Sequence, residues 1–421
     1  MNTQFENKKI LILGGNPETG ELVKTANQLG ITTLVVDPNP DSPAKKFAHK
    51  SYDVDGMDID GIVKIANIEQ VDGVLVGVAD ILVPTYVEVC EQLDLPCYAT
   101  HKIIDAFSSK DGFINICKEY GVPTTPSYAV QGGLNHNDIQ FPVMVKPVDN
   151  GGGVGMSICH SVEELKEGIQ VALQNSKKQR YVVERYMECE DAAAYYTFVD
   201  GDIYLSAMFD RYTSKKQGKF SPVCIATEYP SKHVELYLQD VHPKVVKLFQ
   251  GLEIMNGVLC LQFFVKEKRM YAYDPGFRLQ GEAPHLYLEH FNDFDHRKLL
   301  INFAMTGRFF EGDFSKKNDF QLDGNYASTL LILLSHGKIC QINGLEAIRK
   351  HKNVIWIMQR FEEGDHVGVE MVGTERQIFA RIYIVGNSRK AVIETTEFIH
   401  KQLEIFDDSS CSMIVDRFCP E

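Results

Sequence analysis

Short apolar runs open the chain. Lys9–Leu13, Ile31–Asp37 and Val71–Val78 are rich in Ile, Leu and Val, and the first two close on Gly14-Gly15 and on the turn PNPDSP. Segments of helical spacing cover Gly20–Leu29 and Tyr86–Leu93. Strands alternating with helices predict a parallel sheet joined by helical crossovers. Ligands of such sheets gather at the carboxyl ends of the strands.

The rhythm changes after a helix predicted over Ser109–Tyr120 and ended by Gly121-Val122-Pro123. Short strands are predicted at Pro142–Lys146, Ser157–Cys159, Tyr181–Glu184, Ala194–Val199, Ile203–Phe209, Val258–Val265 and Met270–Tyr273. Helices are predicted over Val162–Gln174 and Lys232–Gly251, and Asp200-Gly201-Asp202 is a hairpin turn. This is an α+β pattern. Beyond Thr306, Tyr326–His336 is read as a buried helix and Ser388–Gln402 as an amphipathic one. Val354–Met358, His366–Val372 and Gln377–Val385 are read as strands.

Composition narrows the classes. A chain of 421 residues has room for two or three domains, and 44% hydrophobic with 24% charged residues is ordinary for a globular protein. A formal net charge of −14 argues against a nucleic-acid binder. No window reaches membrane-spanning length and no apolar leader precedes KILILGG, so neither a membrane partner nor a secretory signal is expected. Ten cysteines without a C-x-x-C pair or regular metal-ligand spacing predict reduced thiols and a cytoplasmic location.

Candidate chemistry concentrates in Phe141–Ser157, FPVMVKPVDNGGGVGMS. Lys146 ends an apolar strand, where a lysine must either snorkel to water or meet an anion. Gly151, Gly152 and Gly153 let backbone amides approach a ligand and cradle phosphate; a hairpin or hinge is the alternative. The first turn, GGNPETG, fails two phosphate-binding patterns. Asn16 takes the second glycine place of the dinucleotide fingerprint, and Glu21 takes the lysine place of the P-loop. It is read as a tight strand-to-helix turn that contacts an organic substrate.

The order of motifs resembles the ATP-grasp superfamily. Nearest by pattern are biotin carboxylase, the carbamoyl phosphate synthetase large subunit and the purine-biosynthetic members. The residues that carry the resemblance are VVDPNPDSPAKKFAH, SKDGF, the KP-x₃-GGGVGM loop, VERYME, DPGFR and QIFARIYIVGNSRKAVIETTEFIHKQL. It implies a mixed α/β and α+β chain with one ATP-grasp unit. The expected parts are a parallel Rossmann-like (pre-ATP-grasp) domain over residues 1–105, a two-lobed ATP-grasp domain over 106–310 with its mobile lobe at about 140–188, and a small C-terminal α+β domain over 311–421.

The resemblance also implies roles. Lys110 and Lys146 would reach the nucleotide phosphates, and Gly151–Gly153 with Gly155 would fold over them. Glu184, Arg185, Tyr186 and Met187 match the hinge that holds the adenine. Glu190 aligns with the acid on the ribose hydroxyls; Asp191 is its possible substitute and plain surface charge the alternative. Gln262 and Asp274 stand where relatives carry metal-ligating glutamates, and Gly276 where many carry asparagine. Arg278 matches the arginine beside the transferred phosphoryl group. Arg211 and His285 are candidates to face the acceptor.

The implied cofactors are ATP and Mg²⁺, with Mn²⁺ as an alternative. The implied partners are a small carboxylate and an amine or other nucleophile, and the expected assembly is a homodimer. The expected reaction is carboxylate activation through an acyl phosphate, followed by capture by the nucleophile. An ATP-dependent carboxylase or carbamoyl-phosphate-synthase-like enzyme using carboxyphosphate is an alternative. A degenerate nucleotide-binding module is another.

Overall fold

The computed structural model describes residues 5–128, 139–148, 154–214 and 222–420. Strands β1 (Lys9–Leu13), β2 (Thr32–Val36), β3 (Lys50–Tyr52) and β4 (Gly73–Val76) form a parallel sheet in the order β3-β2-β1-β4. Residues 10–13 of β1 and all of β4 are buried, because helices cover the sheet. Helix α1 (Pro17–Gln28) starts three residues before the predicted Gly20. Asn16 caps it by accepting the Thr19 N–H at 2.9 Å, and Pro17 supplies a helical φ at the first position. Helices α2 (Ile59–Glu69), α3 (Val83–Leu93), α4 (His101–Phe107) and α5 (Lys110–Glu119) follow.

A second, antiparallel sheet has the order β5-β8-β6-β7, from β5 (Ser127–Tyr128), β6 (Val143–Pro147), β7 (Ser157–Cys159) and β8 (Tyr181–Arg185). Helix α6 (Val162–Gln174) packs on it around Val143, Val145, Leu165 and Val183.

The third sheet is the largest. Strands β9 (Glu190–Val199), β10 (Asp202–Thr213), β11 (Cys224–Tyr229), β12 (Gly257–Lys266), β13 (Arg269–Gly276) and β14 (Tyr326–Leu334) join two later strands, Val354–Gln359 and Ile378–Gly386. The order is β13-β12-β9-β10-β11-β14, then Ile378–Gly386, then Val354–Gln359. Backbone pairing therefore runs across residue 310, through β11 and β14.

Three predicted elements differ. Tyr326–His336 holds a strand, not a helix. A continuous apolar run has no period to decide between the two; β11 on one side and Ile378–Gly386 on the other satisfy the backbone of β14. The predicted helix Lys232–Gly251 is two helices, α7 (Val234–Asp240) and α8 (His242–Gly251). Pro243, in the first turn of α8, has no N–H to continue α7. In His366–Val372, only His366–Val367 is strand, followed by a 3₁₀ turn over Val369–Met371.

Helices α9 (His285–Asn292) and α10 (His296–Thr306) pack into the same core as the parallel sheet. Among the described residues no helix is long and apolar enough to cross a membrane. All ten cysteines are free thiols.

Leu333, fully buried in β14, belongs to the core between β14, Ile378–Gly386 and the helix Arg389–Gln402. Leu333→Ala is expected to cost about 2–5 kcal/mol, read as a lower midpoint in urea unfolding.

Candidate functional site

Three strands set out one row of residues. Ala193 of β9 faces Gln262 of β12, and Gln262 faces Asp274 of β13. Directly opposed residues on neighbouring strands point to the same face. Gln262 and Asp274 therefore offer two oxygen donors side by side. Among the described residues no group of three or more His, Cys, Asp or Glu side chains is arranged to hold a metal by itself.

Asp274 is exposed on one side yet crowded by protein on the others. That crowding raises its pKa above the ordinary aspartate value, as does Asp80, while Lys110, Lys146 and Arg278 pull it down. The three predicted cations thus converge on the one predicted metal-binding acid. Lys110 is the first residue of α5, placed by Ser109, whose hydroxyl accepts the Gly112 N–H at 3.1 Å. It lines a small cavity with Thr124, Thr125, Glu184, Ala272 and Tyr273. The Ala272 N–H donates to Pro123 at 2.8 Å, which ties the approach to β5 onto β13.

Lys146 and Glu184 come from paired strands. Lys146 lies opposite Val182, and Glu184 opposite Met144, two residues along. Lys146 Nζ donates to Glu184 Oε2 at 2.6 Å, and each side chain is 7% exposed. The strand-end lysine meets an anion rather than snorkelling.

Arg278 follows β13. Its guanidinium pairs with Asp80 in the loop after β4, and Nη1 donates to the Leu279 carbonyl and to Gln280 Oε1, both at 2.8 Å. A Cβ on Gly276 would lie 3.2 Å from both Arg278 Cζ and Asp80 Oδ1, so the bare backbone gives this ion pair its room.

Other predicted residues divide. Gly151, Gly152 and Gly153 lie outside the described residues. Gly155 has φ +74°. Arg185 ends β8, and Tyr186 and Met187 begin the link from β8 to β9. Thus the predicted hinge joins the second sheet to the third. The Tyr186 N–H donates to the Pro142 carbonyl at 3.0 Å. Glu190 pairs with Lys232 and with His233 at 3.2 Å, on the exposed start of β9.

Asp191 is engaged elsewhere. Its carboxylate accepts from Arg211 at 2.7 Å and from Tyr273, and Arg211 also donates to Glu282 at 2.9 Å. Burial pushes Asp191 up to about 6, against the pull of Arg211. Arg211 is committed to these two acids and to the Tyr273 hydroxyl. His285 lines a second, water-sized cavity of about 10 Å³ with Glu18, Leu279, Gln280, Arg297 and Trp356. Burial, helped by Arg297, holds its imidazole neutral.

Sequence reasoning missed Asp80, Glu282 and a buried ion triad. Glu18, in the first turn of α1, is paired with both Arg360 and Arg381. Burial alone would raise the Glu18 pKa, but the two guanidinium groups win and hold it at about 2. Two signals were present. Asp80 lies just beyond the carboxyl end of β4, where ligands of a parallel sheet gather. Arg381 interrupts the apolar run IFARIYIV.

The family described as D-ala D-ala ligase C-terminus matches residues 131–271. The carbamoyl phosphate synthase large chain of Clostridium botulinum (strain Langeland) is 22% identical over 302 residues, 67% of this chain and 28% of that one. The similarities are to proteins of the ATP-grasp superfamily. The chain spans less than a third of that curated ATP-grasp relative.

Two solved structures share the ATP-grasp fold over nearly the whole chain. The L-amino acid ligase of Bacillus licheniformis superposes with a TM-score of 0.77 at 16% identity, covering 96% of this chain and 99% of that one. The biotin carboxylase domain of the Hydrogenobacter thermophilus 2-oxoglutarate carboxylase, in complex with MgADP, ADP and bicarbonate, gives 0.75 at 16% identity, covering 97% and 91%.

Lys146→Ala would leave the Glu184 charge buried without its partner. It is expected to cost about 3–5 kcal/mol in urea unfolding, and Glu184→Gln in the same chain should recover part of the loss. Glu18 makes a pH-dependent contribution. Its folded pKa lies below the ordinary 4.5, so the stabilisation is present above pH 4.5 and is lost as pH falls towards about 2. The Glu18→Gln variant should be less stable by about 3 kcal/mol at pH 7, with the gap closing over that window.

Proposed function

We propose that the chain is an ATP-dependent ligase that activates a carboxylate as an acyl phosphate and joins it to an amine or similar nucleophile. ADP and phosphate are the other products. The observation that carries this reading is the convergence of Lys110, Lys146 and Arg278 on Asp274 beside the link between two sheets.

Each cation has an acid nearby: Glu184 for Lys146, Asp80 for Arg278, and Asp274 for all three. The site is close to charge balance, so a polyphosphate suits it best when it arrives with a divalent cation. Asp274 and Gln262 would hold that cation, Mg²⁺ or Mn²⁺, with phosphate oxygens completing its shell. When bound, the metal neutralises phosphate charge. The MgADP held by the biotin carboxylase domain of similar fold supports this reading.

The residues of the chain then have positioning and electrostatic work. Lys110 and Lys146 steady the phosphates, and Glu184 with the segment Arg185–Met187 borders the base. Arg278 faces the group being transferred, where a guanidinium stabilises spreading negative charge. A substrate carboxylate oxygen attacks the γ-phosphorus and ADP leaves. The amine then attacks the acyl carbon and phosphate leaves. No side-chain nucleophile is required, and catalysis rests on alignment and charge.

Incubation with Mg²⁺-ATP, hydroxylamine and a panel of carboxylates that includes bicarbonate tests the reading. A carboxylate-dependent hydroxamate with stoichiometric ADP is expected. ADP release with bicarbonate alone would assign the carboxyphosphate reaction instead. Asp274→Asn is expected to lower hydroxamate formation at least about 100-fold while the unfolding midpoint holds; an unchanged rate would remove Asp274 from the site.

A further inference from the structure

The approach to β5 crosses between two sheets. Towards the third sheet, the Pro123 carbonyl accepts the Ala272 N–H at 2.8 Å, and Thr124 pairs with Ala272 of β13. Towards the second sheet, the Pro126 carbonyl accepts the Arg185 N–H at 2.9 Å, and Ser127 of β5 lies opposite Glu184 of β8. Thr125 stands between these ties. The chain therefore passes between the two sheets here as well as between β8 and β9.

Backbone hydrogen bonds on both sides hold Thr125 in place, and the residue is 4% exposed. Its hydroxyl, Oγ1, has no hydrogen-bond partner among the described residues. A buried hydroxyl without a partner is costly, and most such groups in folded proteins meet protein or an ordered water. The cavity that Thr125 lines has room for one water molecule, about 10 Å³. Lys110 and Glu184 line it too. A hydroxyl, an ammonium and a carboxylate supply the three or so polar contacts that a buried water makes.

The chemistry of these groups sets the direction of each bond. An ammonium only donates and an ionised carboxylate only accepts. The water oxygen would accept from Lys110, and one water hydrogen would go to Glu184. The Thr125 hydroxyl can donate or accept, so it takes whichever valence of the water is left.

We propose that this cavity holds one ordered water bonded to Thr125, Lys110 and Glu184, and that Thr125 is thereby a positioning residue for the Lys146–Glu184 pair. Lys146 holds Oε2 of Glu184 at 2.6 Å. The water holds the same carboxylate from the side of α5, and so ties the second sheet to the helix that Lys110 opens. The water site stands on geometry alone. The positioning role rests on the ligase reading, in which Lys110 and Lys146 steady the nucleotide phosphates.

A crystal structure of the full chain should show a water within hydrogen-bond distance of Thr125 Oγ1, Lys110 Nζ and the Glu184 carboxylate. Thr125→Val keeps the shape of the side chain and removes its hydroxyl. It should lower the urea midpoint and weaken MgATP binding about 10-fold in calorimetric titration. Thr125→Ser should recover most of both losses. A hydroxyl that faced no water would give the opposite sign, because valine would then remove an unmet polar group and raise the midpoint.

No water at the site, a midpoint that valine leaves unchanged or raises, or an affinity that valine leaves unchanged would overturn the proposal. The crystal structure needs no variant, so the test holds even where Thr125→Val fails to fold. Hydroxylamine trapping run alongside separates the two readings. Trapping by the parent with unchanged MgATP affinity in Thr125→Val sinks the positioning role alone. A water in place and weakened MgATP binding, without trapping by the parent, sinks the ligase reading alone.

Discussion

The register between β12 and β13 is the constraint on which the rest of the site depends. It sets Gln262 against Asp274, and β9 on the other side of β12 carries the chain on from the second sheet. A shift of β13 by one residue against β12 would turn Asp274 to the face opposite Gln262. A register shift directly after Gln262 lets β12 and β13 keep pairing on either side of the row. The cations then arrive from three places: Lys110 from the start of α5, Lys146 from the second sheet, and Arg278 from the end of β13.

Charge is buried here in a connected way. Lys146 meets Glu184, Arg278 meets Asp80, Arg211 meets Asp191 and Glu282, and Glu18 meets Arg360 and Arg381. Three of these pairings cross between structural units. Asp80 follows β4 and Glu18 opens α1, both at the carboxyl edge of the parallel sheet, yet their partners lie near or beyond residue 278. Buried ion pairs add little net stability, but losing one partner is expensive. The charges therefore act less as glue than as a specification of how the parallel sheet meets the large antiparallel one.

Much of the fold was legible along the chain. β1, β2 and β4 are short apolar runs closed by turns, and α5 and α6 carry serine caps that mark their starts. Lys146 stood out because a charged residue at the end of an apolar strand needs a reason to be there, whereas Asp274 was named only through the resemblance. The split between α7 and α8 was legible in principle from Pro243. Asp80, Glu18 and Glu282 carried no local pattern that set them apart from surface acids, and Asp191 sat beside an equally plausible Glu190.

By itself the sequence determined the periodicities, the caps and turns, and the order of motifs that marks the superfamily, since these depend on near neighbours. Tertiary structure decided that Tyr326–Leu334 is a strand, because an apolar run takes whichever geometry its partners can hydrogen-bond, and β11 and Ile378–Gly386 offer edges on both sides. It also decided which of many acids and arginines meet. Arg381 and Glu18 are 363 residues apart, Arg278 and Asp80 198. Electrostatic pairing acts through space and burial, and neither is encoded in the spacing of residues along the chain.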